Sequence, residues 1–247
     1  MPPTRRAVRL PELFLGLLAV AIAAVWIGQT FAATIHDARH AGDTISVTGS
    51  ARKPISSNLV QWRLTVDGVA ATEPAAARVL QRDSVVVVAF LRRAGIPADA
   101  ISPQVVESRT VVTRLGKHRT RTTYHVTQGL HVTSTRIDVV QAAATSLGRL
   151  LEQGIRVSAA PLAFISTDLE QAKLDALVAA TSEARRRAEI IVKGLGGKLG
   201  PMRASSLGVY QITPRNSTEV SDYGFSDTTS RLKDVTAVVN ARFAVEH

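Results

Sequence analysis

The chain has 247 residues, contains no cysteine and carries a formal net charge of +10. The lack of cysteine excludes disulfides, thiolate metal sites and cysteine nucleophiles, so packing alone must hold the fold together. Hydrophobic residues make up 45% of the sequence and aromatic residues only 4%. This balance is typical of a globular protein whose core is built from Val, Leu, Ile and Ala.

The N-terminus combines basic residues with a long apolar segment. Arg5, Arg6 and Arg9 precede an apolar run from Leu13 to about Ala33. This order is typical of an export signal or a membrane anchor, and the run matches the roughly 20 residues that span a bilayer. We predict a signal or anchor with its linker over residues 1–40 and a periplasmic domain over 41–247. The chain is then either a single-pass protein of the bacterial inner membrane or a periplasmic protein released after cleavage.

Two strands are predicted directly behind this segment. Ile45 to Thr48 alternates as a short strand, which Gly49, Ser50 and Pro54 are expected to end. Leu59 to Gly68 is a clearer strand, and its apolar residues recur with a period of two. Its inward face is predicted to carry Val60, Trp62, Leu64 and Val66. We expect this strand to pair antiparallel with the first.

The middle of the chain predicts two helices around a β-hairpin. The first helix runs from Thr72 to about Ala94. The predicted hairpin pairs Val105 to Leu115 with Arg121 to Thr133. The second helix is predicted over Ile137 to Gln153, and a short buried strand over Leu162 to Ile165.

A long helix and two strands complete the predicted fold. The helix runs from Thr167 to about Leu195. Its apolar stripe comprises Leu169, Ala172, Ala176, Ala180, Ala184, Ala188, Ile191 and Leu195. The last strands are Ser205 to Ile212 and Val235 to Val245. The predicted class is α+β, with antiparallel sheets and three helices in the order β-β-α-β-β-α-β-α-β-β, preceded by one N-terminal transmembrane or signal helix.

Several segments together resemble the SIMPL-domain family of bacterial periplasmic and envelope proteins. They are ISVTGSARKP at Ile45 to Pro54, EARRRAEIIVKGLGGKLG at Glu183 to Gly200, GVYQITPRNSTEVSDYG at Gly208 to Gly224 and DVTAVVNARFAVE at Asp234 to Glu246. The resemblance implies export or anchoring in the envelope, an α+β module that can form ring-like oligomers, and a link to oxidative and other stress. It implies no enzymatic activity and no catalytic residues. The segment SDTTSRLKDV departs from relatives that have Pro-Gly there.

The predicted hairpin tip is the best candidate for an anionic contact. It carries Arg114, Lys117, Arg119 and Arg121. An anionic lipid or an acidic envelope polymer fits an exported basic protein. The few aromatic residues nearby argue against nucleic acid as a partner. The alternative is a solvated tip without a ligand.

The polar loop Pro214 to Ser230 is the best candidate for an oligomer contact. It carries Tyr223 and Phe225 in a chain that is poor in aromatic residues. The alternative is that both rings cover a sheet edge in their own subunit. The loop carboxylates Glu219, Asp222 and Asp227 have no base nearby in sequence, so acid-base catalysis is not expected from them.

Two histidine pairs have the spacing of metal ligands. His36 and His40 are four residues apart in the linker, and His125 and His131 share one face of a strand. We interpret both pairs as solvated histidines, so neither a metal nor a cofactor is predicted. The sequence thus favours a non-enzymatic, oligomerising envelope protein with a role in envelope integrity or stress tolerance. The alternative is a periplasmic binding module for an anionic ligand or membrane surface.

Overall fold

The computed structural model describes residues 43–116, 119–219 and 221–246. Its strands are β1 (Thr44–Ser56), β2 (Leu59–Ala70), β3 (Ile101–Arg114), β4 (Thr120–Ser134), β5 (Val157–Ala159), β6 (Ala163–Ile165), β7 (Lys198–Leu207), β8 (Gln211–Pro214), β9 (Phe225–Ser226) and β10 (Leu232–Glu246). Its helices are α1 (Glu73–Arg93), α2 (Ile137–Thr145), α3 (Gly148–Glu152) and α4 (Leu169–Gly194). The predicted α+β class is confirmed: three helical regions accompany antiparallel and mixed sheets, and the second region is split into α2 and α3.

The predicted N-terminal anchor, Leu13 to about Ala33, lies outside the described residues, as does the predicted boundary at residue 40. Among the residues that the structure describes, none of the helices combines the length and the hydropathy of a membrane span. The chain divides into two compact units. Among the described residues, the smaller unit comprises 43–49, 181–207 and 239–246. The larger unit comprises 50–116, 119–180, 208–219 and 221–238.

The larger unit is organised around a sheet in the order β3-β4-β2-β5, with β6 also paired to β2. The inward face of β2 is confirmed, because Val60, Trp62, Leu64 and Val66 are all buried. Helix α1 packs on this face of β2 and β4. Its buried stripe consists of Ala76, Leu80, Val87 and Leu91. The opposite face of the sheet carries Arg63 of β2, Arg109 of β3 and His125 of β4.

Gly68 permits a very close approach between β2 and α1. A Cβ atom added there would lie 2.5 Å from the backbone nitrogen of Leu80 and would also overlap the carbonyl oxygen of Ala76. Only glycine leaves room for backbone at that distance. The crossing of α1 over β2 therefore depends on this one position.

The smaller unit packs one part of α4 against a sheet. In it, β7 pairs antiparallel with β10, from Val239 opposite Leu207 to Glu246 opposite Lys198. The core is formed by Ala184 and Ala188 against Val47, Ala241 and Phe243. On the exposed side of the helix, Glu183–Arg187 and Arg185–Glu189 form ion pairs four residues apart, each at 2.9 Å.

Two predictions about β1 are wrong. The strand does not end near Gly49 but continues to Ser56, through Pro54. It lies at the edge of a sheet beside β10, where a missing backbone donor is tolerated. It also does not pair with β2, which pairs instead with β4, β5 and β6. The chain changes sheets between the two strands, where the Ser57 N–H donates to the carbonyl of Arg231 at 2.8 Å.

The second helical region and the strand predicted over Ser205 to Ile212 are both interrupted. The helix stops at Ser146, whose hydroxyl donates to the Ala142 carbonyl at 2.7 Å and so competes with the helical hydrogen bonds. The strand is divided into β7 and β8 around Gly208.

The apolar stripe of α4 leaves its predicted path at the C-terminal end. Ile191 and Leu195 are 45% and 83% exposed, whereas Val192 is buried. The buried residues advance in steps of four, from Ala172 through Ala188 to Val192. A four-residue step slightly exceeds one helical turn, so the buried stripe winds around the helix.

Candidate functional site

The hairpin of β3 and β4 is a long structure of the larger unit with one largely exposed strand. The strands pair from Ile101 opposite Val132 to Arg114 opposite Thr120, with an irregularity between Pro103 and Val106. Almost every β3 residue beyond Ile101 is exposed. Because β3 is the last strand of its sheet, its outer edge carries backbone donors and acceptors without a neighbouring strand in the described structure. The hairpin is therefore an arm with one open edge.

The tip of this arm is basic, as predicted. Arg114, Arg119 and Arg121 are exposed, and the turn is closed by the Leu115 N–H donating to the Arg119 carbonyl at 2.7 Å. Lys117, the fourth predicted contact, lies outside the described residues. In the strand register, Arg121 lies opposite Thr113 and Arg114 lies opposite Thr120. Adjacent pairs point to opposite faces, so Arg114 and Arg121 do not form one patch.

The face of the sheet opposite α1 carries further cations that were not predicted as contacts. Arg109 lies opposite His125 and shares the face of Arg121, and Arg63 lies opposite His131 on the same face. These cations could have been predicted only with the register of β2, β3 and β4, because side chains alternate between the two faces once the register is known. The basic surface of the arm thus extends from the tip along the sheet.

His125 is held by a carboxylate on the neighbouring strand. Its Nδ1 lies 3.1 Å from Oδ2 of Asp67, and the other oxygen, Oδ1, is buried without a hydrogen-bond partner. The carboxylate fixes the orientation of the imidazole ring. His131 is exposed, as expected for a solvated histidine, whereas His125 is part-buried beside Asp67 and does not meet that expectation. His36 and His40 lie outside the described residues, within which no group of three or more residues could hold a metal ion.

The loop after β8 presents its two aromatic residues differently. Tyr223 is 97% exposed, whereas Phe225 is 37% exposed and belongs to β9, which pairs parallel with β8. Gln211 ties the loop to the sheet, since its Nε2 donates to the Ser221 carbonyl at 2.6 Å. Phe225 therefore extends the sheet of its own subunit, and Tyr223 projects into solvent.

Asp227 fixes the second half of this loop. It is buried, and its Oδ1 accepts bonds from the backbone N–H and the hydroxyl of Thr229 at 2.7 and 2.8 Å. Its Oδ2 accepts a bond from the Ser230 N–H at 3.1 Å. Burial opposes ionisation, but the bonds from Thr229 and Ser230 and the nearby Lys233 cation hold the pKa of Asp227 below its usual range. The other loop carboxylates, Glu219 and Asp222, are exposed.

Lys233 is the buried cation beside Asp227. It is 3% exposed, and its Nζ donates to the carbonyls of Phe164 and Asp227, both at 2.6 Å. Burial lowers the pKa of Lys233, and the negative charge of Asp227 partly opposes this shift. Lys233 was not predicted as a site residue, although it extends the inward-facing series of Val235 and Ala237 by one step. The cation joins the loop to β6.

Comparison with known proteins assigns the chain to a family. The model of the SIMPL family, described as "Protein of unknown function (DUF541)", matches residues 45–243. The chain belongs to the SIMPL family. This match confirms the resemblance seen in the sequence, and the family description names no activity.

Solved structures and curated proteins add no function to this SIMPL protein. A de novo designed protein, Foldit4, is 14% identical and aligns over 41% of this chain and 93% of its own, with a TM-score of 0.21. The ligand-free regulatory subunit of aspartate kinase from Thermus thermophilus is also 14% identical, over 78% of this chain and 88% of its own, with a TM-score of 0.18. No curated protein matches the sequence.

Proposed function

We propose that this SIMPL protein is a non-enzymatic envelope protein that faces the periplasm and forms homo-oligomers. Its role is envelope integrity or tolerance of oxidative and general stress. The basic and apolar N-terminal segment supports attachment to the inner membrane or export across it. The resemblance to exported bacterial members of the SIMPL family supports the same location.

Self-association rests on one observation, the open edge of β3. Val105 and Val112 on this strand are 83% and 63% exposed. A long exposed edge that carries apolar side chains is a template for pairing with another strand. The 97% exposed ring of Tyr223 offers a second apolar contact, and an exposed tyrosine is frequently an anchor in interfaces.

The mass of the purified full chain in a mild detergent, measured by light scattering at two salt concentrations, tests this proposal. We expect an assembly that is larger than one chain and whose mass is the same at both salt concentrations. A single chain at high protein concentration would contradict it. Deletion of the gene, followed by challenge with an oxidant and with an envelope-damaging detergent, tests the cellular role. Unchanged survival under both treatments would contradict that role.

The second candidate is a binding module for an anionic ligand, and the basic arm favours it. Arg109, Arg119 and Arg121 are exposed on an arm that carries few opposing charges. Such a surface attracts anionic lipid headgroups at low ionic strength. Sedimentation with vesicles containing phosphatidylglycerol, compared with vesicles of phosphatidylcholine alone, tests this candidate. We expect binding only to the anionic vesicles and its loss in high salt, and equal binding to both would contradict it.

A further inference from the structure

The open edge of β3 has a sequence that suits pairing with itself. The segment Val105–Val112 reads VVESRTVV, with two valines at each end and the opposite charges of Glu107 and Arg109 on either side of Ser108. All of these residues except Val111 are exposed, and the regular pairing with β4 covers Val106 onwards. Within the described structure, neither Glu107 nor Arg109 forms an ion pair. The charges of this edge are therefore self-complementary about Ser108, and they have no ion-pair partner within the described structure.

Antiparallel geometry limits how two copies of this edge can meet. Alternate residues of a strand direct their N–H and C=O groups to the same edge, and residues directly opposite each other in an antiparallel pair are either both hydrogen-bonded or both not. When a strand pairs with a copy of itself, odd-numbered residues therefore face odd-numbered residues, and even-numbered residues face even-numbered ones. Near the centre of the segment, three registers satisfy this condition, with Glu107, Ser108 or Arg109 on the two-fold axis. Placing Glu107 or Arg109 on the axis sets like charges directly opposite, which is unfavourable. Placing Ser108 there sets Glu107 opposite Arg109 twice.

We propose that two copies of this chain pair antiparallel along β3, with Ser108 on the two-fold axis and Glu107 of each copy opposite Arg109 of the other. In the same register, Val106 lies opposite Thr110. The pairing joins two five-stranded sheets, each with β3 at its edge, into one continuous sheet. This inference rests on the proposed self-association and names its partner and register.

Ser108 also has a contact within its own subunit. Its hydroxyl donates to Oε1 of Glu73 at the start of α1, at 2.5 Å. This bond holds the side chain on the face that α1 covers and leaves the backbone edge of the strand open. Replacing Ser108 removes one exposed hydrogen bond, which has a small effect on folding.

A single cysteine tests the register, because the chain has no other cysteine. In the full-length Ser108→Cys variant, mild oxidation is expected to yield a disulfide-linked dimer, since the two introduced thiols face each other across the axis. Thr110→Cys is the matched control on the same strand face. Its two thiols would be offset by about 14 Å along the strands, beyond the reach of a disulfide. A mixture of Val106→Cys and Thr110→Cys chains should form a disulfide between the two variants, because positions 106 and 110 face each other. Each variant alone should form a disulfide-linked dimer much less efficiently.

Charge reversal provides an independent test. Glu107→Arg and Arg109→Glu each place like charges opposite each other twice, so each should weaken the dimer at least about tenfold. The double variant Glu107→Arg/Arg109→Glu restores opposite charges and should recover the affinity of the wild-type chain. A folding defect would not be repaired by this exchange.

The outcomes separate this inference from the broader proposal. If the wild-type chain assembles but the Ser108→Cys variant does not cross-link, or if the charge-exchanged variant is no better than the single variants, the β3 register is overturned and self-association stands. A wild-type chain that stays monomeric by light scattering would overturn both. Cross-linking of the Thr110→Cys variant as efficient as that of Ser108→Cys would show random collision and would also overturn the register.

Discussion

Replacing Asp227 with alanine should destabilise the larger unit severely. The substitution removes the acceptor of three hydrogen bonds from Thr229 and Ser230. It also removes a negative charge that attracts the Lys233 ammonium, which is 3% exposed and keeps its bonds to the carbonyls of residues 164 and 227. Leaving buried donors without their acceptor typically costs about 1–3 kcal/mol, and the attraction between this carboxylate and the Lys233 ammonium is lost as well. We therefore expect Asp227→Ala to lower the free energy of unfolding by about 3 kcal/mol, a large share of the roughly 5–15 kcal/mol typical of a domain.

Tryptophan fluorescence offers a local assay for this change. Trp62 is 2% exposed in the core of the larger unit, and the other tryptophan, Trp26, can be replaced with phenylalanine. Guanidinium unfolding of Asp227→Ala in this background gives the free energy by linear extrapolation. Asp222→Ala is the matched control, because it removes an exposed carboxylate from the same loop and should cost less than about 0.5 kcal/mol.

A double variant separates the charge pair from the hydrogen bonds. Adding Lys233→Met to Asp227→Ala removes the unpaired ammonium, so the two changes should cost at least about 1 kcal/mol less together than the sum of the single variants. A cost below about 1 kcal/mol for Asp227→Ala would refute the structural role assigned to this carboxylate. Strict additivity of the two substitutions would refute its coupling to Lys233.

Three further predictions concern acid stability, packing and the loop. Because the folded-state pKa of Asp227 is lowered, the stability that its charge contributes is complete above the ordinary carboxyl pKa of about 4 and is lost as the pH falls through the lower folded value. Asp227→Asn should therefore make the free energy of unfolding depend less on pH in acid. An unchanged pH dependence would contradict this assignment. Gly68→Ala should cost at least about 2 kcal/mol in guanidinium unfolding, because its methyl group overlaps the backbone of α1, and a neutral effect would show that the close crossing is absent. Tyr223→Ser should leave the free energy of unfolding within about 0.5 kcal/mol but lower the light-scattering mass of the full chain, and an unchanged mass would exclude the ring from the interface.

Sequence periodicity correctly predicted the buried faces of β2 and α4, which do not depend on knowing the neighbouring elements. The alternation of β2 correctly placed Trp62 inside, and the alanine repeat of α4 correctly placed Ala172 to Ala188 on its buried face. In both cases, one strong period determines the buried face regardless of which element covers it.

Properties that depend on distant partners were not predictable in this way. The pairing of β1 with β10 joins strands from opposite ends of the chain, so adjacency in sequence wrongly suggested β2. Strands β5 and β9 have three and two residues, too few to show a period. The positions of Tyr223 and Phe225 differ because only Phe225 has a strand to pair with, which composition alone could not reveal.

An antiparallel contact along β3 has a consequence for the size of any assembly. Such a contact is isologous, since both copies use the same surface, and each copy has only one β3 edge. Pairing therefore closes after two chains and cannot by itself produce a ring or a filament. Growth beyond a dimer requires a second, different surface, and the projecting ring of Tyr223 lies on another segment of the same unit. Variants at Glu107 and at Tyr223 should consequently arrest assembly at different stages.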